Sequence, residues 1–365
     1  MEYANASLHP GPSVVVGRKG SLGNPLYTDG PFWAVDTTYY AAECAGNMRW
    51  LHYILCSIQL EKYNEATGVP SLARPTLNSI HVPSPTSNEK DGIVQVLTKV
   101  DSAIEQTEAL LAKQKRVKSG LMQDLLTRGI DAQGRLRDPS THRFKNTALG
   151  SVPIDWDETN IGDVANLVTS GPRGWAKYYS NSGAKFIRIG NLTREHVNLR
   201  LQDMQFVSPP AGAEGNRTQL MPGDVLFSIT ADLGVVGLVP DDFGPAYINQ
   251  HIALIRPKSA DIVSGWLANF LASHRVQKWI SNINESGAKA GLNLPTIKNL
   301  PITAPKPPEQ KMIADILALS DRQIAEIYAH VLKLRRQKAG LMHDLLTGLV
   351  PVTPLLALPK APISS

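Results

Sequence analysis

The stretch KQKRVKSGLMQDLLTR at residues 113–128 returns as KLRRQKAGLMHDLLTG at residues 333–348. Lys118, Gly120, Leu121, Met122, Asp124, Leu125, Leu126 and Thr127 reappear as Lys338, Gly340, Leu341, Met342, Asp344, Leu345, Leu346 and Thr347, each 220 residues on. A period this long is no solenoid repeat. It is the length of a globular domain plus a connector, so the chain reads as one module used twice.

Upstream of each copy, seam residues fall at steps of four and three. The first series is Ile93, Leu97, Val100, Ile104, Thr107, Leu111, Gln114, Lys118, Leu121 and Leu125. The second is Ile313, Leu317, Ser320, Ile324, Ile327, Val331, Leu334, Lys338, Leu341 and Leu345. These are heptad seams with polar breaks. Pro307 and Pro308 stand where the second helix would start. Each helix should run about 36 residues, roughly 55 Å. Two such helices in one chain most simply pack on each other as a spacer; a surface helix or a zipper to another chain is the plainer alternative. The clusters Lys113, Lys115, Arg116, Lys118 and Lys333, Arg335, Arg336, Lys338 read as a solvated face rather than a phosphate site.

The chain has 365 residues, 42% of them apolar, a net charge of +5 and a pI near 9.1. That suits two globular domains plus a connector. Mild basicity is compatible with nucleic acid without pointing to it. Cys44 and Cys56 are the only cysteines, too few for a disulfide framework or a zinc site, which fits a reducing cytoplasm. No leader-like segment and no apolar run of membrane-spanning length is present, so a cytoplasmic location and no membrane partner are expected.

Taken in order, SVVVG from Ser13 reads as a strand and FWAVDTTYYA at 32–41 as another. Residues 49–65 read as a helix and 68–85 as a loop with a turn at Pro75. Residues 129–153 are rich in glycine, proline and charge and read as a linker. Trp156 opens a second globular domain, with strands at 185–192, 219–229 and 246–257 and a helix over 263–283. The fold class is α+β. The expected divisions are a partial first domain (1–88), a first long helix (89–128), a linker (129–153), a second domain (154–308), a second long helix (309–348) and a disordered tail (349–365). The two long helices pair as an antiparallel coiled coil in a pseudo-twofold chain.

The two halves align piecewise. Leu72, Pro75, Thr76, Leu77 and Glu89 match Leu292, Pro295, Thr296, Ile297 and Glu309 at the same offset. GRKGSLG from Gly17 corresponds, with small gaps, to the loop at 229–234. Residues 145–222, 78 in all, have no counterpart in the first half.

The order and duplication of these stretches resemble the specificity subunit of type I restriction–modification systems. The resemblance rests on WDETNIGDVANLVTSGPRG (156–174), KFIRIGN (185–191), LMPGDVLFSI (220–229), INQHIALIRP (248–257) and GLNLPTIKNLPITAPKPPEQ (291–310). GRKGSLG, FWAVDTTYY, NEATGVPSL and KSGLMQDLLTRGI add to it in the first half. It implies two target recognition domains, each reading half of a split double-stranded DNA site, held apart by the paired helices. It also implies two modification subunits that methylate adenine with S-adenosylmethionine, and restriction subunits that use ATP and Mg. No cofactor is expected on this chain. A first recognition domain without its opening half would expose strand edges and apolar surface. A longer true start, a decayed inactive gene, or completion by another chain would each account for it.

No catalytic constellation competes. Ser208-Pro209-Pro210-Ala211 lacks both ends of an adenine-methylase motif, Asp241 and Glu309 are far apart, and the nine histidines show no zinc spacing. Residues suited to phosphate and base contact lie in loops: Arg18, Lys19 and Ser21 in the first domain, and Ser170, Arg173, Lys177, Tyr178, Arg188, Asn191, Thr230 and Lys289 in the second. A coiled-coil scaffold with no DNA readout is the alternative.

Overall fold

The computed structural model describes residues 6–44, 46–209, 214–285 and 292–353. The chain divides into two compact units: residues up to Leu111 together with those from Glu326 on, and residues Ala112–Ala325. The division cuts both long helices, so each unit owns part of each.

The first unit holds strands β1 (Ser13–Gly17), β2 (Leu26–Thr28) and β3 (Thr38–Tyr40) in the antiparallel order β2-β1-β3. Helix α1 (Met48–Ser57) and helix α2 (Arg74–Ser79) follow, then the long α3 (Ser87–Leu125). Val14 and Val16 point to one face of the sheet, as a period of two demands, and pack with Leu22, Leu60 and Leu72. The aromatic run at 32–41 is a strand only at its end. Val35 accepts a hydrogen bond from the Thr38 amide, closing a turn through Asp36 and Thr37, and Trp33 and Val35 are exposed. The proline turn expected at 68–85 is instead α2, with Pro75 at its start, where the missing amide costs nothing.

In the second unit, β4 (Phe144–Thr147) and β5 (Gly150–Pro153) form a hairpin. Then come β6 (Asp157–Asn160), the single turn α4 (Ile161–Val164), β7 (Ala165–Ser170), β8 (Tyr179–Ser180), β9 (Ala184–Ile187), β10 (Gln205–Val207), β11 (Val225–Ser228), β12 (Val236–Leu238), β13 (Ala246–Ile248) and β14 (Ile252–Pro257). Helices α5 (Ser264–Ala272), α6 (His274–Glu285) and α7 (Leu294–Lys298), strand β15 (Pro301–Ala304) and the long α8 (Pro307–Leu346) complete it. One sheet has the order β12-β11-β14-β7 and a second β13-β9-β10-β8; β15 pairs with β6.

The unbroken apolar runs of β11 and β14 follow from burial on both faces. Val225, Phe227, Ala253 and Ile255 pack with Trp266, Phe270 and the long helices. The alternating Leu226, Ile252 and Leu254 pack with Ile187 and Ile248. The strand expected over 246–257 is two strands in different sheets. The Asn249 carboxamide accepts from the His251 amide and the Ile252 amide donates to the Asn249 carbonyl, a turn that carries the chain between layers. The helix expected over 263–283 breaks at Ser273, whose backbone is extended (φ −66°, ψ 150°).

Residues 129–153 are no loose linker. Ile130, Leu149 and Val152 are buried. Arg137 grips Glu309 through two hydrogen bonds of 2.6 and 2.9 Å, and Glu309 also accepts from the Ile130 amide. The apolar start of the expected tail is engaged as well: Val352 is buried beside Trp50, Ile93 and Leu345. Residues 354–365 lie outside the described residues.

Every seam residue of α3 and α8 is buried or half-buried, while Lys113, Lys115, Arg116, Lys333, Arg335 and Arg336 are exposed. In the first unit the helices run antiparallel, pairing Asp101 with Lys338 (2.6 Å) and Glu108 with Arg335 (2.7 Å). In the second unit Lys118 pairs with Asp321 (2.5 Å). Because Asp321 is the repeat of Asp101 and Lys338 the repeat of Lys118, the units use one ion pair with the helices' roles exchanged.

Candidate nucleic-acid interface

In the second unit five strand ends meet at one rim. Strands β9 and β13 are parallel and end together, Ile187 opposite Ile248. The C-terminal ends of β7 and β11 and the start of β14 lie in one sheet, with Ser170 opposite Ala253 and Ser228 opposite Ile252. Three backbone bonds tie the emerging loops: the Ile229 amide to the His251 carbonyl (3.0 Å), the Asn249 amide to the Ile187 carbonyl (3.1 Å), and the Leu292 amide to the Ile229 carbonyl (2.9 Å). At Gly171 a Cβ would come within 2.3 Å of the Ile248 and Asn249 carbonyls, so only glycine lets the loop after β7 pass so close.

Ser170, Arg188 and Thr230 belong to this rim, whereas Lys177 and Tyr178 lead into β8, whose Tyr179 lies level with Val207 and Ala184 at the opposite end of β9. Ser170, Thr230 and Arg188 are half-buried at strand ends, and Arg173 and Lys177 are exposed in the loop between β7 and β8. Tyr178 stands edge-on to buried Trp175 (5.7 Å), with the Lys177 ammonium 5.0 Å from its ring centre. Tyr178 is thus half-buried, packed against the core on one side. The Arg188 guanidinium has one long bond, 3.4 Å to the Asp203 carbonyl, and is cheaply released. Asn191 is different. It is buried, accepts from the Arg188 amide (2.9 Å) and donates to the Arg200 carbonyl (3.0 Å). Its polar atoms are used, so it shapes the loop rather than facing a ligand. Lys289 lies outside the described residues.

The sequence reading offered neither Gln250 nor His251 as a contact and expected His251 to be satisfied locally, as its two ring nitrogens are. Thr230 Oγ1 lies 2.7 Å from His251 Nδ1, and Gln250 Nε2 lies 2.9 Å from His251 Nε2. The three form a hydrogen-bonded row on the rim, and Gln is a side chain that can pair with an adenine edge. The signal was the polar Asn-Gln-His interrupting two apolar strands. Arg194, also overlooked, is held by Asp232, the Leu233 carbonyl and Gln277.

The first unit builds the same frame with fewer parts. The Arg18 amide donates to the Thr37 carbonyl (2.8 Å) and the Leu72 amide to the Arg18 carbonyl (3.0 Å). These repeat the bonds of Ile229 with His251 and Leu292. Arg18 therefore stands at the position of Ile229, Lys19 at that of Thr230 and Thr37 at that of His251. Arg18, Lys19 and Ser21 are exposed. Arg18 lies 6.0 Å from the Tyr39 ring centre and donates to the Asp36 carbonyl. Two different loops, each placed by the same backbone bonds, thus present polar and basic groups at equivalent strand ends.

Among the described residues no group of His, Cys, Asp or Glu is placed to hold a metal ion, and no helix is long and apolar enough to cross a membrane. A family model described as the type I restriction modification DNA specificity domain matches residues 1–114 and 153–332. The chain belongs to that family. Similar curated members of this specificity family include the Type I restriction enzyme MjaVIII specificity subunit of Methanocaldococcus jannaschii, 22% identical over 80% of this chain and 67% of its own length. The Type I restriction enzyme EcoBI specificity subunit of Escherichia coli is 23% identical over 74% of this chain and 56% of its own length. The chain therefore spans between about half and two thirds of these relatives. The crystal structure of a type I restriction-modification S subunit from M. genitalium matches the fold with a TM-score of 0.61, at 15% identity, over 94% of this chain and 85% of that one. A second solved structure, of a type I R-M system, matches with a TM-score of 0.56 at 17% identity, over 96% and 85% of the two chains.

Proposed function

We propose that this chain is a non-catalytic specificity subunit that reads double-stranded DNA for a type I restriction–modification complex. The observation that carries the reading is the duplicated rim, one loop frame built twice with different side chains. A reader of two unlike half-sites needs one scaffold and two sets of contacts. On this reading Arg173, Lys177 and Arg188, with Lys19 and Arg18, contact phosphates and set register. Thr230, Gln250, Ser170 and Ser21 face base edges. Helices of 39 and 40 residues, about 60 Å long, suit a ruler spanning more than one turn of B-DNA, about 34 Å.

Two modification subunits and the ATP-dependent restriction subunits would supply the chemistry, with S-adenosylmethionine, ATP and Mg on those partners. The test is a salt titration of DNA binding by the complex of this chain with its modification subunit. Replacing Arg173 and Lys177 together by Ala should weaken binding about tenfold and reduce the salt slope by one to two, with the complex still assembled. An unchanged slope and affinity would remove these residues from the interface. Binding with no sequence preference by the unmodified complex would favour the scaffold alternative.

A further inference from the structure

The His251 ring is bonded at both nitrogens, yet the two side chains bonded to it keep groups to spare. Building on the DNA-reading role above, we propose that His251 is a positioning residue. It sets Gln250 and Thr230 so that Gln250 reads an adenine in the half-site facing the second unit.

Valence fixes the direction of each bond. Gln250 Nε2 lies 2.9 Å from His251 Nε2. An amide nitrogen only donates, so His251 Nε2 accepts. An imidazole that accepts at one nitrogen is neutral and carries its proton on the other. That proton, on Nδ1, goes to Thr230 Oγ1, 2.7 Å away. The Thr230 hydroxyl hydrogen is left over as a donor. At Gln250 one amide hydrogen is left over, together with Oε1, which takes no bond among the described residues. Spending on His251 the hydrogen that points away from Oε1 keeps the oxygen and the other hydrogen as a single edge. That edge accepts from adenine N6 and donates to adenine N7. A reversed row, with Oε1 on the imidazole, would leave Gln250 only donors, which suit the two acceptors of guanine.

The row is not needed to build the frame beneath it. The first unit makes the same backbone bonds with Lys19 in the place of Thr230, Thr37 in that of His251 and Asp36 in that of Gln250. These three are exposed, and among the described residues no side-chain bond joins them. In the second unit, by contrast, the backbone is held so as to bring the row together. The Asn249 carboxamide accepts from the His251 amide at 3.2 Å. The Ser228 hydroxyl donates to the Asp232 carbonyl and accepts from the Val235 amide. Between them Ala231 takes a left-handed backbone, φ +57°, which a residue with a Cβ keeps only where its surroundings force it.

The test measures base preference, position by position, in double-stranded oligonucleotides bound by the complex of this chain with its modification subunit. The unaltered complex should favour adenine at one position of one half-site about tenfold. His251→Ala should remove most of that preference at that position alone, with the salt slope unchanged. Removing His251 and Gln250 together should cost no more than removing either, since they act as one unit. Gln250→Glu, whose carboxylate only accepts, should move the preference from adenine to cytosine. In nitrogen NMR spectra of histidine-labelled complex, the signal lost in His251→Ala should be that of a ring protonated at Nδ1. A guanine preference, a ring protonated at Nε2, or an adenine preference that survives in either variant would overturn the proposal while DNA reading stands. Weaker binding with every base preference intact would make His251 merely structural and overturn it too. No base preference anywhere in the unaltered complex would overturn both.

Discussion

Removing the Asp321 carboxylate would leave the Lys118 ammonium charged and out of water, since both side chains are only 6% exposed. Lys118 also donates to the Glu195 carbonyl at 3.2 Å, one bond that does not replace the lost partner. Asp321→Ala should therefore cost about 3–5 kcal/mol. Asp101→Ala, at the repeated pair with side chains 27–29% exposed, also removes the acceptor of the buried Tyr53 hydroxyl, 2.6 Å away, and should cost about 1–3 kcal/mol, less than Asp321→Ala. Replacing Lys118 and Asp321 together by Met and Leu should restore most of the loss. Urea midpoints of the four proteins check the order. A second residue sets a pH dependence. Burial holds the His52 imidazole below its ordinary 6.5; the bond to the Pro25 carbonyl opposes this and nearby Lys338 adds to it. The unfolded chain then takes the proton first. Stability is fully present above about pH 6.5 and is lost as the pH falls through the lower folded value. The carboxylates held low, Glu89, Asp131 and Asp138, act only in more acid solution. The melting temperature should fall between pH 7 and 5.5, and His52→Asn should flatten that fall; an unchanged slope would mean that His52 takes up its proton equally in the folded and unfolded states.

At the scale of elements, what the sequence made legible is what has a period. The two heptad seams predicted the buried side of both long helices residue by residue, Lys118 and Ser320 included. The strands of the inner sheet were legible for the same reason. What failed had no local signal. β13 and β14 read as one strand because both are apolar, and only the Asn249 turn separates them. Residues 129–153 read as a linker because their order comes from long-range partners, Glu309 above all, which no window of sequence displays. Gly129 shows how tightly they are held. Its φ is +63°, and an added Cβ would fall within 2.7 Å of Glu309, Arg137 and Trp156. Gly129→Ala should cost about 2–4 kcal/mol and Glu309→Gln about 1–3 kcal/mol. Faster hydrogen exchange confined to 129–153 and the start of α8 would mark the site of the damage. Thr230 and Arg173 were offered as contacts from side-chain type and loop position. Gln250 was not offered because a strand was drawn through it, His251 was expected to be satisfied locally and is, and Asn191 was offered because its internal bonds are invisible in sequence.

At the scale of the molecule, duplication is the organising fact. Equivalent backbone bonds hold Arg18 and Ile229, equivalent ion pairs lock each unit's helices, and Trp50 and Trp266 each stand third in their helix, buried. Among the described residues the second unit carries β6 to β10 without counterparts in the first, and Leu26 and Trp33 of the first unit are exposed. One scaffold with unlike rims is what the proposed reading of two unlike half-sites needs. The most direct test is a map of N6-methyladenine in cells carrying the modification subunit with and without this chain. The account predicts methylation at a sequence motif that appears only with the chain, and whose occupancy falls when Arg173 and Lys177 are replaced. Identical maps in the two strains, from a complex shown to assemble, would contradict it.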